Sequence, residues 1–370
     1  MNQDLIYLLA LQRSLPLNPM AQNLLVEALG SASEVFAQRG HIREAVPSLH
    51  PRTATAVAGM EAHLERARQE ADFIEKHHIQ LLWRGDDAYP ARLREMADAP
   101  LLLYYLGNAP LNAPRVLSIV GSRQCTEYGR RCCQQFLGEL QQLCPDVLVV
   151  SGLAYGIDIA AHRAALACGL PTLGVLAHGL DQIYPRMHED TAREMVMQGG
   201  LLTEYQSGAT ADKPNFVARN RIVAAMADAT LVVESKAHGG SLITTRLASE
   251  AGRRVFAVPG RTDDALSAGC NQLIADGKAE LLLNARQLVD SLGWHTQGER
   301  PNAVQLELFP ELTAEQRQVV EQLQTHADGL TLNELTMLVR QPVSQLTALL
   351  FELELAGLIK MAAGNRYFRA

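Results

Sequence analysis

The chain has 370 residues, 40 Asp+Glu against 33 Lys+Arg, and a formal net charge of −7, so no global positive field draws it to a polyanion. Its length allows two or three domains, and 48% apolar residues supply a sizeable core. Six cysteines without a CxxC pair read as reduced thiols of a cytoplasmic protein, and no apolar run is long enough for a spanning helix. Asp4 precedes the first apolar stretch and no basic residue does, which argues against a secretory signal.

Residues 1–75 read as a compact helical module. Leu5, Leu8, Leu9 and Leu11 form one apolar face, Ala21–Leu29 a second ending at Gly30, and Ser31 or Ser33 caps a third helix. Met60–His77 is a charged amphipathic helix.

The middle of the chain, residues 76–292, changes character. Six short aliphatic runs each end in a polar or glycine-containing turn. Val116–Val120 leads to Gly121-Ser122-Arg123, Val147–Val150 to Ser151-Gly152, and Thr172–Leu176 to His178-Gly179. Leu201–Thr203 leads to Glu204, Leu231–Val233 to Glu234-Ser235, and Val255–Val258 to Pro259-Gly260. Helical patterns at Tyr128–Leu143, Ile157–Ala167 and Ser241–Ala251 alternate with them. This is an α/β pattern with a parallel sheet covered on both faces, and its ligand edge is where the strands' carboxyl ends gather.

The chemistry falls on that edge. Gly121-Ser122-Arg123, Ser151-Gly152 and Gly240-Ser241 each join a strand to a helix and offer N–H groups, hydroxyls and a positive helix end to an anion. A tight turn needs glycine for geometry alone, so each cradle also has a purely structural reading. Lys213, Phe216, Arg219, Asn220 and Arg221 are read as a loop bringing cations, a ring and an amide to a polynucleotide with stackable bases; a solvated basic loop is the plainer reading. From Lys213 to Arg261 there are eight Lys/Arg against three acids, a basic patch within an acidic protein. Asp158 and His162, four apart, fit a local structural hydrogen bond. Glu204, Glu234 and Asp181 follow strands and are expected to cap helices or fix loops, with general-base work as the other option. No hydrolase elbow, Walker loop, zinc-protease motif, dinucleotide fingerprint or metal constellation is present. No enzyme, no cofactor and no catalytic residue are therefore expected.

Residues 293–311 are polar and proline-containing, as a flexible linker would be. Residues 312–370 show helices at Ala314–Gln324, Leu332–Val339 and Val343–Ala356, then two short strands around Gly364-Asn365, the pattern of a winged helix.

These residues together resemble the DprA/Smf family of bacterial DNA-processing proteins. The likeness runs through Ile119-Val120-Gly121-Ser122-Arg123, Ser151-Gly152-Leu153-Ala154, Gly179-Leu180-Asp181 with Tyr184-Pro185, and Phe216 with Arg219-Asn220-Arg221. It continues through Gly240-Ser241-Leu242-Ile243-Thr244 and Val255–Gly260, covering roughly residues 75–292. The resemblance implies an extended Rossmann-like domain behind an N-terminal, SAM-like helical module. It implies a non-enzymatic single-strand DNA-binding protein that protects strands and helps load the RecA recombinase, usually as a homodimer. Carried over, the DNA pocket comprises Arg123, Lys213, Phe216, Arg219 and Asn220, lined by Ser122, Ser151, Gly152, Gly240 and Ser241. The family's Gly-Ile-Gly hairpin is replaced by Ser14-Leu15-Pro16-Leu17-Asn18-Pro19, and Phe-Pro by Phe216-Val217. The winged helix is not strongly basic and reads as a regulatory or protein-contact unit.

Two other classes share the pattern. A nucleoside-monophosphate phosphoribohydrolase-like enzyme uses a related loop, but Arg246 stands where its catalytic acid is expected. A protein-interaction scaffold would bind no nucleotide at all. In the linker, Gln305, Leu306, Leu308 and Phe309 look like a peptide that docks on the bacterial sliding clamp, or they pack the linker onto a domain.

Overall fold

A computed structural model of the protein describes residues 2–295, 312–326, 329–355, 357–362 and 366–369. The peptide at residues 305–309 lies outside the described residues. Contacts divide the chain into two units, Met1–Thr296 and Gln297–Ala370.

The first unit is organised on nine strands: β1 (Gln80–Trp83), β2 (Leu102–Gly107), β3 (Val116–Gly121), β4 (Leu148–Ser151), β5 (Thr172–Val175), β6 (Gly199–Thr203), β7 (Ala229–Val233), β8 (Arg254–Ala257) and β9 (Glu280–Leu281). They pair in the order β1-β2-β6-β5-β4-β3-β7-β8-β9. From β6 to β9 every pairing is parallel, while β2 pairs antiparallel with both β1 and β6. The six runs read from sequence are β3–β8. The strands β1 and β2 escape a search for strand–turn–helix units because antiparallel pairing needs no crossover helix.

Alternation along β3 explains the layers. Leu117 and Ile119 enter one core with the helices Glu127–Leu143, Ile157–Cys168 and Ala285–Leu292. Val116 and Val120 enter the other with the helices Lys213–Ala225, Ser241–Glu250 and Ala268–Ala275. Strands β4–β7 are buried along their whole length, as a sheet covered on both faces requires.

The N-terminal helices follow their capping chemistry. Asn18 accepts from Ala21 N at the start of Pro19–Leu29, Gly30 ends that helix at φ 85°, and Ser31 accepts from Glu34 N to begin Ala32–Ala37. Their apolar faces share a core with Leu101, Leu102 and Tyr104 around β2. Long-range bonds fasten the layer, among them Tyr104 Oη donating to Gln12 Oε1 (2.7 Å) and Gln206 Nε2 donating to Leu9 O (2.9 Å).

The second unit is a winged helix. Helices Ala314–Thr325 and Leu332–Val339 both open with capping boxes, Thr313 with Gln316 and Thr331 with Glu334. The helix Val343–Leu355 follows, and β10 (Leu330–Thr331), β12 (Arg366–Arg369) and β11 (Ile359–Ala362) pair antiparallel in that spatial order. Among the described residues no helix is long and apolar enough to cross a membrane.

Candidate nucleic-acid interface

The strand order reverses at β3, which lies between β4 and β7. Loops leaving β3 and β7 therefore part to opposite sides and open a crevice at the carboxyl edge. Ser122 N donates to Glu234 O (2.7 Å) and Ile157 N to Ser122 O (3.0 Å), which pins the β3 loop against its neighbours. Gly156, at φ 79°, lies where a Cβ would collide with Ser122 O and the Arg123 backbone, so only glycine admits this approach. The result is that Arg123 projects into solvent from a rigid turn.

The segment expected as a basic loop is instead a helix, Lys213–Ala225. Asp212 caps it by accepting from Asn215 N (3.0 Å), and Pro214 occupies its first turn, where a missing N–H is harmless. Asn215, Arg219 and Ile222 point inward at helical spacing, while Lys213 and Val217 face out. Phe216 and Asn220, four apart, share the face that lines the crevice.

The two arginines of this helix have separate fates. Arg219 is only 2% exposed. Its Nη1 donates to Gly152 O (2.7 Å) and to Val175 O, tying the helix to the loop after β4 and the end of β5. Burial pulls its pKa down to about 10, against the attraction of Asp158, and the same desolvation raises the Asp158 carboxyl against the pull of Arg219. The guanidinium therefore stays protonated near neutrality. Arg221 turns away to Glu204 (2.7 Å) and Asp98 (3.1 Å). It is not part of the crevice lining, a correction to the reading in which this segment brings both guanidiniums to a polynucleotide.

The crevice encloses about 730 Å³. Ser122, Arg123, Lys213, Phe216, Arg219 and Asn220 line it, with Gly240 and Ser241 opposite. Ser151 and Gly152 are not part of the lining. Both are buried beneath it: Ser151 Oγ donates to Ile119 O (2.6 Å), and a Cβ on Gly152 would press on Asp158 and Arg219. Ser241 Oγ donates to Ser235 Oγ (2.9 Å), and no side chain caps the Ser241–Glu250 helix, whose positive end faces the space. The side chains of Arg123 and Lys213 make no hydrogen bond or ion pair among the described residues. The same holds for the ammonium of Lys236, which also lines the crevice and which the motif reading did not single out. Its signal in the sequence was its position two residues after Glu234. Asp158 is the single carboxylate in the lining. The Phe216 ring is half-buried, with the Arg123 guanidinium 5.1 Å and that of Arg219 5.8 Å from its centroid. Tyr184, 46% exposed, lies 5.8 Å from the same ring and widens the aromatic surface.

Glu234 and Glu204 have structural partners. Glu234 accepts from Thr126 N (2.9 Å) and Thr126 Oγ1, fixing the start of the Glu127–Leu143 helix. Glu204 is held by Arg221. The expected bond between Asp158 and His162 does not form. Asp158 instead accepts weakly from Ala154 N (3.3 Å), while His162 Nδ1 meets Thr172 Oγ1 at 2.7 Å. Arg246 stands exposed and leans on Glu250 (3.6 Å). Among the described residues no group of three or more His, Cys, Asp or Glu could hold a metal ion.

Residues 80–293 match the family model described as DNA recombination-mediator protein A, and residues 307–365 match that of the DprA winged helix domain. The chain is 41% identical over 204 residues to the DNA processing protein DprA of Streptococcus pneumoniae, covering 55% of this chain and 71% of that one. It is 35% identical over 329 residues to a putative DprA of Mycobacterium tuberculosis (84% and 83%) and 33% identical over 304 residues to Protein Smf of Escherichia coli (79% and 78%). The solved DprA of S. pneumoniae aligns with TM-score 0.58 and 33% identity over 73% of this chain and 97% of that one. DNA processing protein A of Helicobacter pylori, whose structure was described for its single-stranded DNA binding mode, aligns with TM-score 0.53 and 28% identity (59% and 97%). A family match over more than half the chain, the winged helix and the Rossmann-like sheet together establish that this protein belongs to the DprA/Smf family of DNA-processing proteins.

Proposed function

We propose that this protein binds single-stranded DNA across the carboxyl edge of its sheet, without catalysing a reaction on it. The observation that carries the reading is the convergence of Arg123, Lys213 and Lys236, three cations whose side chains have no hydrogen bond or ion pair among the described residues, around the half-buried Phe216 ring. Phosphates replace solvent at the cations, one base lies against the ring, and the Gly240 backbone lets the strand approach closely. A duplex keeps its bases stacked internally and offers the ring nothing. The H. pylori relative, described as binding single strands, supports the same reading.

The recombination-mediator description of the matching family is in line with a role in handing the strand to a recombinase, which we take to be RecA. A homodimer would place two clefts on one strand and raise avidity. A sliding-clamp contact through residues 305–309 rests on the pentapeptide alone.

The test is fluorescence anisotropy of labelled oligo-dT and of a matched duplex across a salt series. Preferential single-strand binding that weakens steeply with salt is the expected result; equal affinity for both, or none for either, refutes the reading. The phosphoribohydrolase alternative predicts release of free base from a nucleoside monophosphate. Arg246, exposed and paired with Glu250, gives that reaction no acid at the expected place.

A further inference from the structure

Arg123 and Gln124 line two spaces at once: the cleft described above and a second hollow of about 780 Å³ over the Glu127–Leu143 and Ile157–Cys168 helices. The second hollow has no part in the function proposed so far. Its lining includes three guanidiniums, Arg123, Arg130 and Arg163, and no carboxylate. In a chain of net charge −7, such a one-signed groove is an electrostatic feature of its own. Ala160, Ala164 and Ala167 recur at helical spacing along it and keep the floor low. At its mouth Tyr155 is 43% exposed, its ring set edge-on to His188 at 5.4 Å, which holds the aromatic plane in place.

The cations there are available. Arg163 is exposed, with one hydrogen bond, from Nε to Thr191 Oγ1 (3.2 Å), and no ion pair among the described residues. Arg130 donates from Nη1 to Cys125 O (3.2 Å) and leans on the exposed Glu127 at 2.9 Å, an i,i+3 surface pair that a phosphate displaces at little cost. From Ile157 to Ala167 the groove follows just under three helical turns, roughly 15 Å at 1.5 Å per residue.

Resting on the reading of the cleft as a single-strand site, we propose that this groove is the continuation of the strand's path. A strand leaving the cleft at Arg123 passes over Tyr155, which takes a base on its face, and then lays its phosphates along Arg130 and Arg163. The groove thus sets how many nucleotides one protomer occupies, while the cleft anchors the strand.

The experiment is a ladder of oligo-dT lengths bound to the full-length protein as wild type, F216A, and the double variant Y155A/R163A. Both substituted groove residues are exposed, so the fold is retained, and circular dichroism checks it. The expected result is that Y155A/R163A binds the shortest bound oligonucleotide as wild type does but loses the further gain with length, roughly ten-fold for the longest. Its salt slope on long oligonucleotides falls by about 0.7 for the lost arginine, and R163K restores that slope. If Y155A/R163A follows the wild type at every length while F216A weakens all of them, the groove's role is overturned and the cleft stands. If F216A leaves the shortest oligonucleotide bound as before, the cleft reading fails and the groove proposal falls with it.

Discussion

The Arg219 guanidinium lies 5.8 Å from the centroid of Phe216, three residues earlier on the same helix. That cation is buried and fastened to the carbonyls of Gly152 and Val175. The other cation at the ring, Arg123, is exposed and has no hydrogen bond or ion pair among the described residues. One cation therefore fixes where the ring stands, and the other is free to meet a phosphate beside a base stacked on it. On the proposed reading, position and recognition are divided between two arginines.

Removing the ring tests recognition. Phe216→Ala should weaken oligo-dT binding by about 1–3 kcal/mol, the usual worth of one stacked base, with the melting temperature nearly unchanged. Phe216→Tyr, which keeps the face, should bind close to wild type. Equal affinity of F216A and wild type in anisotropy titrations would remove the stacking role.

Removing the buried cation tests position. Arg219→Ala strands two buried carbonyls and leaves Asp158 without its counter-charge, a loss on the order of 3 kcal/mol of stability. Thermal unfolding should show a clear drop for R219A and almost none for Arg123→Ala, although both weaken DNA binding. If R219A melts with the wild type, the fastening described for this side chain is not structural.

The free cations should be readable in salt dependence. Each of Arg123→Ala, Lys213→Ala and Lys236→Ala is expected to lower the slope of log affinity against log salt by about 0.7, the single-strand value for one phosphate contact. Arg221→Ala should leave that slope alone, since Glu204 and Asp98 occupy its guanidinium. A changed slope in R221A with unchanged slopes in the other three would invert the assignment.

Stability should fall on mild acidification. Thr172 Oγ1 donates to Val149 O (3.1 Å), so it accepts from His162 Nδ1–H, and His162 Nε2 is left buried without a partner. Burial, first of all, pushes the His162 pKa down to about 3, and burial also lowers His178 and His188. The unfolded chain thus binds protons that the folded chain refuses, and stability is lost as pH falls below the unfolded value of about 6.5. His162 alone contributes about 2 kcal/mol of that loss between roughly pH 7 and pH 5. Asp158, raised by burial, has the opposite sign and regains stability in more acid solution. Urea denaturation at a series of pH values checks this, and His162→Gln should flatten the profile.

Much of the architecture was legible in the residue order because it is local chemistry. Aliphatic runs ending in Gly121, Gly152 and Glu234 mark strands β3, β4 and β7, and the caps Ser31, Thr313 and Thr331 mark helix starts. In sequence Lys213–Ala225 reads as a loop because its basic and polar residues hide any single apolar stripe. A helix whose inward positions include Asn215 and Arg219 shows no hydrophobic period.

What the sequence determined by itself is therefore the alternation of strand and helix, the winged-helix ending and the glycine-containing turns that follow β3 and β4, each fixed by neighbours in the chain. What only the tertiary structure decided is which charges are free. Arg219 and Arg221 are chemically identical and two residues apart, yet one is held by carbonyls at the ends of β4 and β5 and the other by Glu204 and Asp98. Those partners lie far away in sequence. Whether an arginine meets DNA or holds the fold depends on what the folded chain sets beside it, because a guanidinium satisfied inside the protein has little left to offer a phosphate.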